Sequence, residues 1–164
     1  MFEAPENPRV IKLPMTHPAL NLPPLNLQLI EEDGKTWAFD PCRKKQVLLL
    51  PEEWVRQHFI RYLLEYMRYP AALIKVEGGL SVNSLQKRTD ILVYSRTGKP
   101  WLLVECKTYT QKLDEQTLRQ AAMYNSSLEV DYLVLSNGMA HHCFHIDRKA
   151  KKLHTLKQLP VFPE

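Results

Sequence analysis

Glu105, Cys106 and Lys107 close the stretch WLLVECKT, which begins as apolar as a core strand. Side chains alternate along a strand, so Glu105 and Lys107 share one face about 7 Å apart, while Cys106 points to the other and reads as packing. Asp90 opens an earlier apolar stretch, DILVY, and the two runs are joined through Thr97, Gly98, Lys99 and Pro100. A two-residue loop at Thr97-Gly98 sets Asp90 opposite Glu105, and one at Gly98-Lys99 sets it opposite Lys107. In either register two carboxylates and an ammonium converge on one face.

Buried charges are costly without partners. Paired carboxylates repel, and one lysine cannot neutralise both, so a divalent cation would relieve the site. Mg²⁺ suits it, being content with one or two carboxylates plus waters and a substrate phosphate, and Mn²⁺ can substitute. Such an ion activates a phosphodiester for attack by water, while a nearby lysine orients that water or stabilises developing charge. That is the chemistry of a metal-dependent nuclease. A plain ion pair between Glu105 and Lys107 at the exposed end of a hairpin accounts for the same residues without a metal.

The elements that must carry these residues are legible. Residues 1–30 hold six of the twelve prolines, and because proline fixes φ and removes a donor they read as an extended arm whose leucines dock on the domain. Residues 35–50 suggest two short strands around Pro41 to Lys45. Pro51, Glu52 and Glu53 suit the first turn of a helix, and Val55, Phe59, Tyr62, Leu63 and Tyr66 recur at helical spacing until Pro70. ALIKVEGGL, TDILVYS and WLLVECK read as three strands. A second helix from about Leu113 to Ser127 precedes the buried-looking strand DYLVLSNG. MAHHCFHID and KLHTLKQL form an alternating pair at a sheet edge.

Other side chains invite chemistry less specifically. His141, Cys143 and His145 alternate on one strand face, as a soft-metal site would, but a fourth ligand is missing and an edge strand explains them equally well. Arg43-Lys44-Lys45, Lys87-Arg88 and Lys149-Lys151-Lys152 can hold phosphates or be solvated turns, and Lys87 and Arg88 are preferred because they adjoin Asp90. Glu77 joins the site if its strand borders that of Asp90.

At 164 residues, 24% of them charged, the chain fits one domain that buries a core without disulfides. The net charge of +4 permits a polyanionic partner without demanding one. An odd number of widely spaced cysteines, with no leader-like start, points to the cytoplasm. No apolar run approaches the ~20 residues of a membrane span.

In this order the motifs resemble the PD-(D/E)XK nuclease superfamily and, within it, the N-terminal nuclease domain of type I restriction enzyme R subunits. The likeness runs from PEEWVRQ through RTDILVYSRTGKPWLLVECKT to RQAAMYN, roughly Pro51 to Asn125. It implies an α/β, restriction-endonuclease-like fold: a central mixed β-sheet flanked by helices, over residues 31–164, behind the arm. It implies that Asp90 and Glu105 ligate the metal, that Lys107 positions the nucleophilic water, and that Glu53, rather than the more cap-proximal Glu52, is the supporting acid of the first helix. Gln120 and Tyr124 match the family's Gln-x-x-x-Tyr, which contacts nucleic acid, and four residues apart they share a helix face. Thr89 stands where the superfamily's name has proline. No GxxxxGK[ST] motif occurs, so ATP-driven translocation is expected only from a separate motor subunit, with a specificity subunit as a further possible partner. The activity expected is a DNA endonuclease rather than an exonuclease, though the residues do not themselves choose between the two. The alternative is a catalytically silent nuclease-fold module that binds DNA alongside a partner protein.

Overall fold

Ile91 to Val93, Trp101 to Val104 and Leu133 to Leu135 are unbroken buried runs, the signature of strands covered on both faces. They lie at the centre of the molecule. The computed structural model describes residues 17–24, 27–82, 85–125 and 129–163, with the side chains of 79–87 and 124–125 outside that description. In chain order the elements are β1 (Leu29–Glu32), β2 (Lys35–Asp40), β3 (Lys45–Leu48), α1 (Pro51–Arg61), β4 (Ile74–Val82), β5 (Leu85–Tyr94), β6 (Pro100–Cys106), α2 (Glu115–Asn125), β7 (Tyr132–Ser136), β8 (His141–Asp147) and β9 (Lys152–Leu156).

The first three strands form a small antiparallel sheet, and the remaining six form a mixed sheet in the order β4-β5-β6-β7-β8-β9. Among the described strands only β6 and β7 pair in parallel. Parallel neighbours need a crossover, and α2 supplies it. Val55, Phe59, Ile60 and Leu63 of α1 and its continuation pack on Ile91, Val93, Leu102, Val104 and Val134. On the opposite face Ala121 of α2 packs on Leu92, Leu103, Leu133 and Leu135. Each of these large side chains contributes roughly 1.5–3 kcal/mol by leaving water.

α1 starts as its sequence demands. Leu50 is the extended N-cap, Pro51 takes the first turn where no donor is needed, and Glu52 and Glu53 face the positive end of the dipole. The helical spacing predicts a run to about Tyr69, but the α-helix gives way to a π-helical turn over Tyr62–Tyr66, and Arg68 enters the left-handed region at φ +58°. That reversal ends the run before Pro70, whose ring disfavours a helical predecessor. α2 begins at Glu115 rather than Leu113, because the Asp114 carboxylate accepts the Thr117 N–H at 2.8 Å and so caps the helix.

The proline-rich arm lies partly outside the described residues, at 1–16 and 25–26. Strand β1 starts at Leu29, inside the segment read as arm. Residues 17–24 carry no helix or strand, yet they are pinned: Pro18 O accepts the Trp54 indole N–H at 3.0 Å, and Asn21 N donates to Gly138 O at 2.7 Å. Leu20 and Leu22 pack on the α1 side of the core, as expected of the arm's leucines. Gly138, at φ +81°, leaves room for Leu20; a Cβ there would sit 2.8 Å from Leu20 Cδ2.

Candidate active site

The β5–β6 hairpin decides which residues meet. Its ladder pairs Ile91 with Val104, so one step further sets Asp90 opposite Glu105, the first of the two registers that the sequence allows. The connection is not a two-residue loop. Gly98 N donates to Ser95 O, Gly98 takes φ +78°, and an irregularity between Val93 and Tyr94 absorbs the extra residue. Beyond Val104 the backbone stays ordered, because Lys107 N donates to Ser136 O of β7 at 2.8 Å.

Both oxygens of Asp90 are fixed. Oδ2 accepts the Cys106 N–H at 2.7 Å and Oδ1 accepts Arg56 Nη2 at 2.7 Å. The Glu105 carboxyl is pushed up to about 8, first by burial and then by the neighbouring Asp90 charge, against the pull of Lys107. Glu52 is raised in the same way, by burial and by Asp90, with Arg56 and Lys107 opposing. Asp90, Glu105, Lys107 and Glu52 therefore share one electrostatic neighbourhood at the open end of the hairpin.

Glu53 reaches Asp90 only through a bridge. Its two oxygens accept Arg43 Nη2 and Arg56 Nη1, and Gln57 Nε2 adds a third bond at 2.9 Å. Arg56 is the bridge, since it also holds Glu52 and Asp90. Burial lowers the Arg56 pKa, and Asp90 and Glu53 more than offset that, raising it. The β4–β5 register sets Glu77 across from Asp90, between the pairs Val76–Ile91 and Gly78–Thr89, so its strand does border that of Asp90. Its φ of +47° is left-handed, an uncommon state for a non-glycine residue. Thr89, next to Asp90 in β5, donates its hydroxyl to Gly78 O at 3.2 Å.

Sequence reasoning set Arg56 and Gln57 in the helix motif but without a role, did not single out Asp40, and placed Arg43 only in a basic turn. Arg56 had a signal, standing four residues after Glu52 and three after Glu53 on one helix face. Arg43 had only Asp40 nearby in the chain, three residues before it, since its partner Glu77 lies 34 residues away.

The donor set fits a hard divalent cation. Six carboxylates, Asp40, Glu52, Glu53, Glu77, Asp90 and Glu105, are served by Arg43, Arg56 and Lys107, with Arg88 a further 3.8 Å from Glu77. Negative charge is in excess, and one carboxyl is driven towards neutrality beside Asp90. Among the described residues no three His, Cys, Asp or Glu side chains form a ready-made cage. An ion that keeps waters and takes one or two carboxylates needs none.

A pH dependence follows. Native Glu105 holds its proton to about 8 against an ordinary value of 4.5, so between those values the folded state binds more protons than the unfolded chain. The metal-free protein is expected to lose stability as pH rises through that window, and Glu105→Gln to flatten the slope. Urea midpoints of both proteins, measured across the window, check this; parallel curves would reject it.

The remaining side chains are dispersed. Gln120 is exposed on α2, while the side chains of Tyr124 and Lys87 lie outside the described residues. Arg88 is 75% exposed. His141 has both ring nitrogens engaged, by Ser136 Oγ at 2.9 Å and Asn21 O at 2.8 Å, and Cys143 is buried in the core. Lys151 and Lys152 line a cavity of about 490 Å³ that none of the acids Glu52, Asp90 or Glu105 borders.

The solved fragment of a protein assigned as the HsdR subunit of a type I restriction enzyme from Vibrio vulnificus YJ016 superposes with a TM-score of 0.51 at 21% identity, over 68% of this chain. At that identity the likeness shows a shared fold, and this chain spans 24% of that one. Comparison with curated proteins finds no match. No helix of the described residues is long and apolar enough to cross a membrane. The family described as "Type I restriction enzyme R protein N terminus (HSDR_N)" matches residues 51–160, a span that holds α1, the β5–β6 hairpin, Lys107 and α2, and the chain belongs to that family.

Proposed function

We propose that the chain is a Mg²⁺-dependent deoxyribonuclease, with Mn²⁺ able to substitute, that hydrolyses DNA phosphodiester bonds as an endonuclease. The observation that carries this reading is the Asp90–Glu105 carboxyl pair, set opposite each other across β5 and β6 in the field of Lys107, with Glu105 raised to about 8. Asp90 and Glu105 would hold the cation, whose contribution is Lewis acidity at the scissile phosphate. Lys107 orients the attacking water and balances charge that grows on the phosphoryl oxygens. Glu53 supports the site through Arg56, and Glu52, held by the same Arg56 guanidinium, is the helix acid that feels the charges of both Asp90 and Lys107. Gln120, Tyr124, Arg88 and Lys87 are the DNA-contacting candidates. Membership of the R-protein family supports DNA as substrate and a separate motor or specificity subunit as partner.

Thermal melting with and without Mn²⁺ tests the reading cheaply, since a ligand of the native state alone adds about 2.7 kcal/mol at a hundredfold excess over Kd. For a domain of this size that is a rise in Tm of roughly 5–10 °C. Asp90→Asn is expected to abolish the rise and, with linear, circular or single-stranded DNA, the cleavage as well. An Asp90→Asn protein that still responds to Mn²⁺ would remove the mechanism.

One observation favours the silent alternative: Arg56 and the Cys106 N–H already occupy both oxygens of Asp90. A nuclease-fold binding module predicts salt-sensitive DNA binding without turnover.

A further inference from the structure

The family match begins at residue 51, yet one side chain ahead of it enters the centre of the acidic site. Arg43, in the turn between β2 and β3, places three nitrogens on three carboxylates from three parts of the fold. Nε donates to Asp40 at 2.7 Å, Nη2 to Glu53 of α1, and Nη1 to Glu77 of β4. Its side chain is only 10% exposed, so it is not free for a phosphate as its basic neighbours are. The turn is built to aim it. Asp40 Oδ1 accepts the N–H groups of Cys42 and Arg43 at 2.8 and 2.7 Å, and Lys44 takes a left-handed φ of +53°. Gln57 Nε2 donates to Asp40 Oδ2 at 2.7 Å, completing the acceptor set.

Two routes lead from this fork to Asp90. Glu53, held by Arg43, holds Arg56, which holds Asp90 Oδ1. Glu77, held by Arg43 and 3.7 Å from Arg56, sits across the ladder from Asp90 with its backbone left-handed. Such a conformation is strained for a non-glycine residue and persists only where its surroundings impose it.

We propose that Arg43 is a positioning residue for the Asp90–Glu105 pair, which makes the three-stranded sheet of β1, β2 and β3 a working part of the site rather than an appendage. The proposal rests on the cation reading given above. Lysine cannot replace the fork, because its ammonium is a single point of charge.

The test is Mn²⁺ binding by the full chain, followed through the electron paramagnetic resonance signal of free Mn²⁺. Arg43→Lys is expected to keep the wild-type far-UV circular dichroism and to weaken Mn²⁺ binding about 10–100-fold, the usual effect of removing a group that orients metal ligands. Glu77→Gln, which leaves Arg43 on its other two partners, shifts affinity in the same direction and serves if Arg43→Lys does not fold. Phe144→Leu, a core change remote from the fork, lowers stability and is expected to leave Mn²⁺ affinity alone. A folded variant at Arg43 or Glu77 that binds Mn²⁺ as the wild type does overturns the proposal and leaves the cation reading standing. Equal loss in Phe144→Leu overturns it too, by reducing the effect to stability. A wild-type protein that binds no Mn²⁺ removes the cation reading and this inference with it.

Discussion

Lys107→Ala is expected to slow DNA cleavage about 10²–10³-fold while Mn²⁺ still binds. The magnitude is that of losing one preorganised donor aimed at charge developing in a transition state. Retained binding follows from the division of labour, since the carboxylates come from Asp90 and Glu105. The fold should tolerate the change: the backbone of Lys107 is tied to β7 through Ser136 O, and its side chain is half-buried rather than packed in the core. Loss of the ammonium also removes a group that opposes the upward shift of Glu105. The residual activity should therefore have its pH profile displaced to higher pH. Single-turnover cleavage of a supercoiled plasmid across pH, beside a Mn²⁺ titration, separates the two effects. Loss of Mn²⁺ binding in Lys107→Ala, or unchanged cleavage, would contradict the assignment.

Arg56→Ala is expected to cost about 3–5 kcal/mol of folding stability, the range for removing one partner from a buried ion network. Arg56 is 6% exposed, so solvent does little to screen it. Its removal leaves Asp90 Oδ1 and the Arg56-facing oxygens of Glu52 and Glu53 without their cation. The corresponding drop in Tm for a domain of this size is roughly 6–20 °C. Denaturant melts measure it, and a cycle with Asp90→Asn shows how much of the cost comes from Asp90. A coupling of about 0.5–3 kcal/mol is expected for groups in direct contact. An Arg56→Ala protein as stable as wild type would mean that the network contributes nothing net.

Why some of this was readable in the chain and some was not follows from the range of each interaction. The strands of the large sheet announced themselves because β5, β6 and β7 are buried on both faces and so read as unbroken apolar runs. The hairpin narrowed Asp90 to two registers, and counting residues went no further, because a bulge and a wider turn compensate each other. β1 was hidden in the arm, although Asp33-Gly34, at φ +51° and +68°, is the hairpin turn that should have revealed it. Glu53 is held by Arg43, a partner from a different sheet, whereas Glu52 is held by Arg56 of its own helix. Local spacing carries helix faces and strand alternation; it carries nothing about a guanidinium that arrives from elsewhere in the chain.

Glu77 has a second consequence, unrelated to chemistry. β4 is the border strand of the large sheet, with one side of its backbone paired to β5 and the other unpaired within that sheet. Borders of this kind recruit strands from other molecules when they are flat. A left-handed residue in mid-strand bends the row of amide and carbonyl groups, so an incoming chain cannot pair along its full length. The kink set opposite Asp90 thus also discourages self-association, and straightening it would expose the protein to aggregation through the same edge.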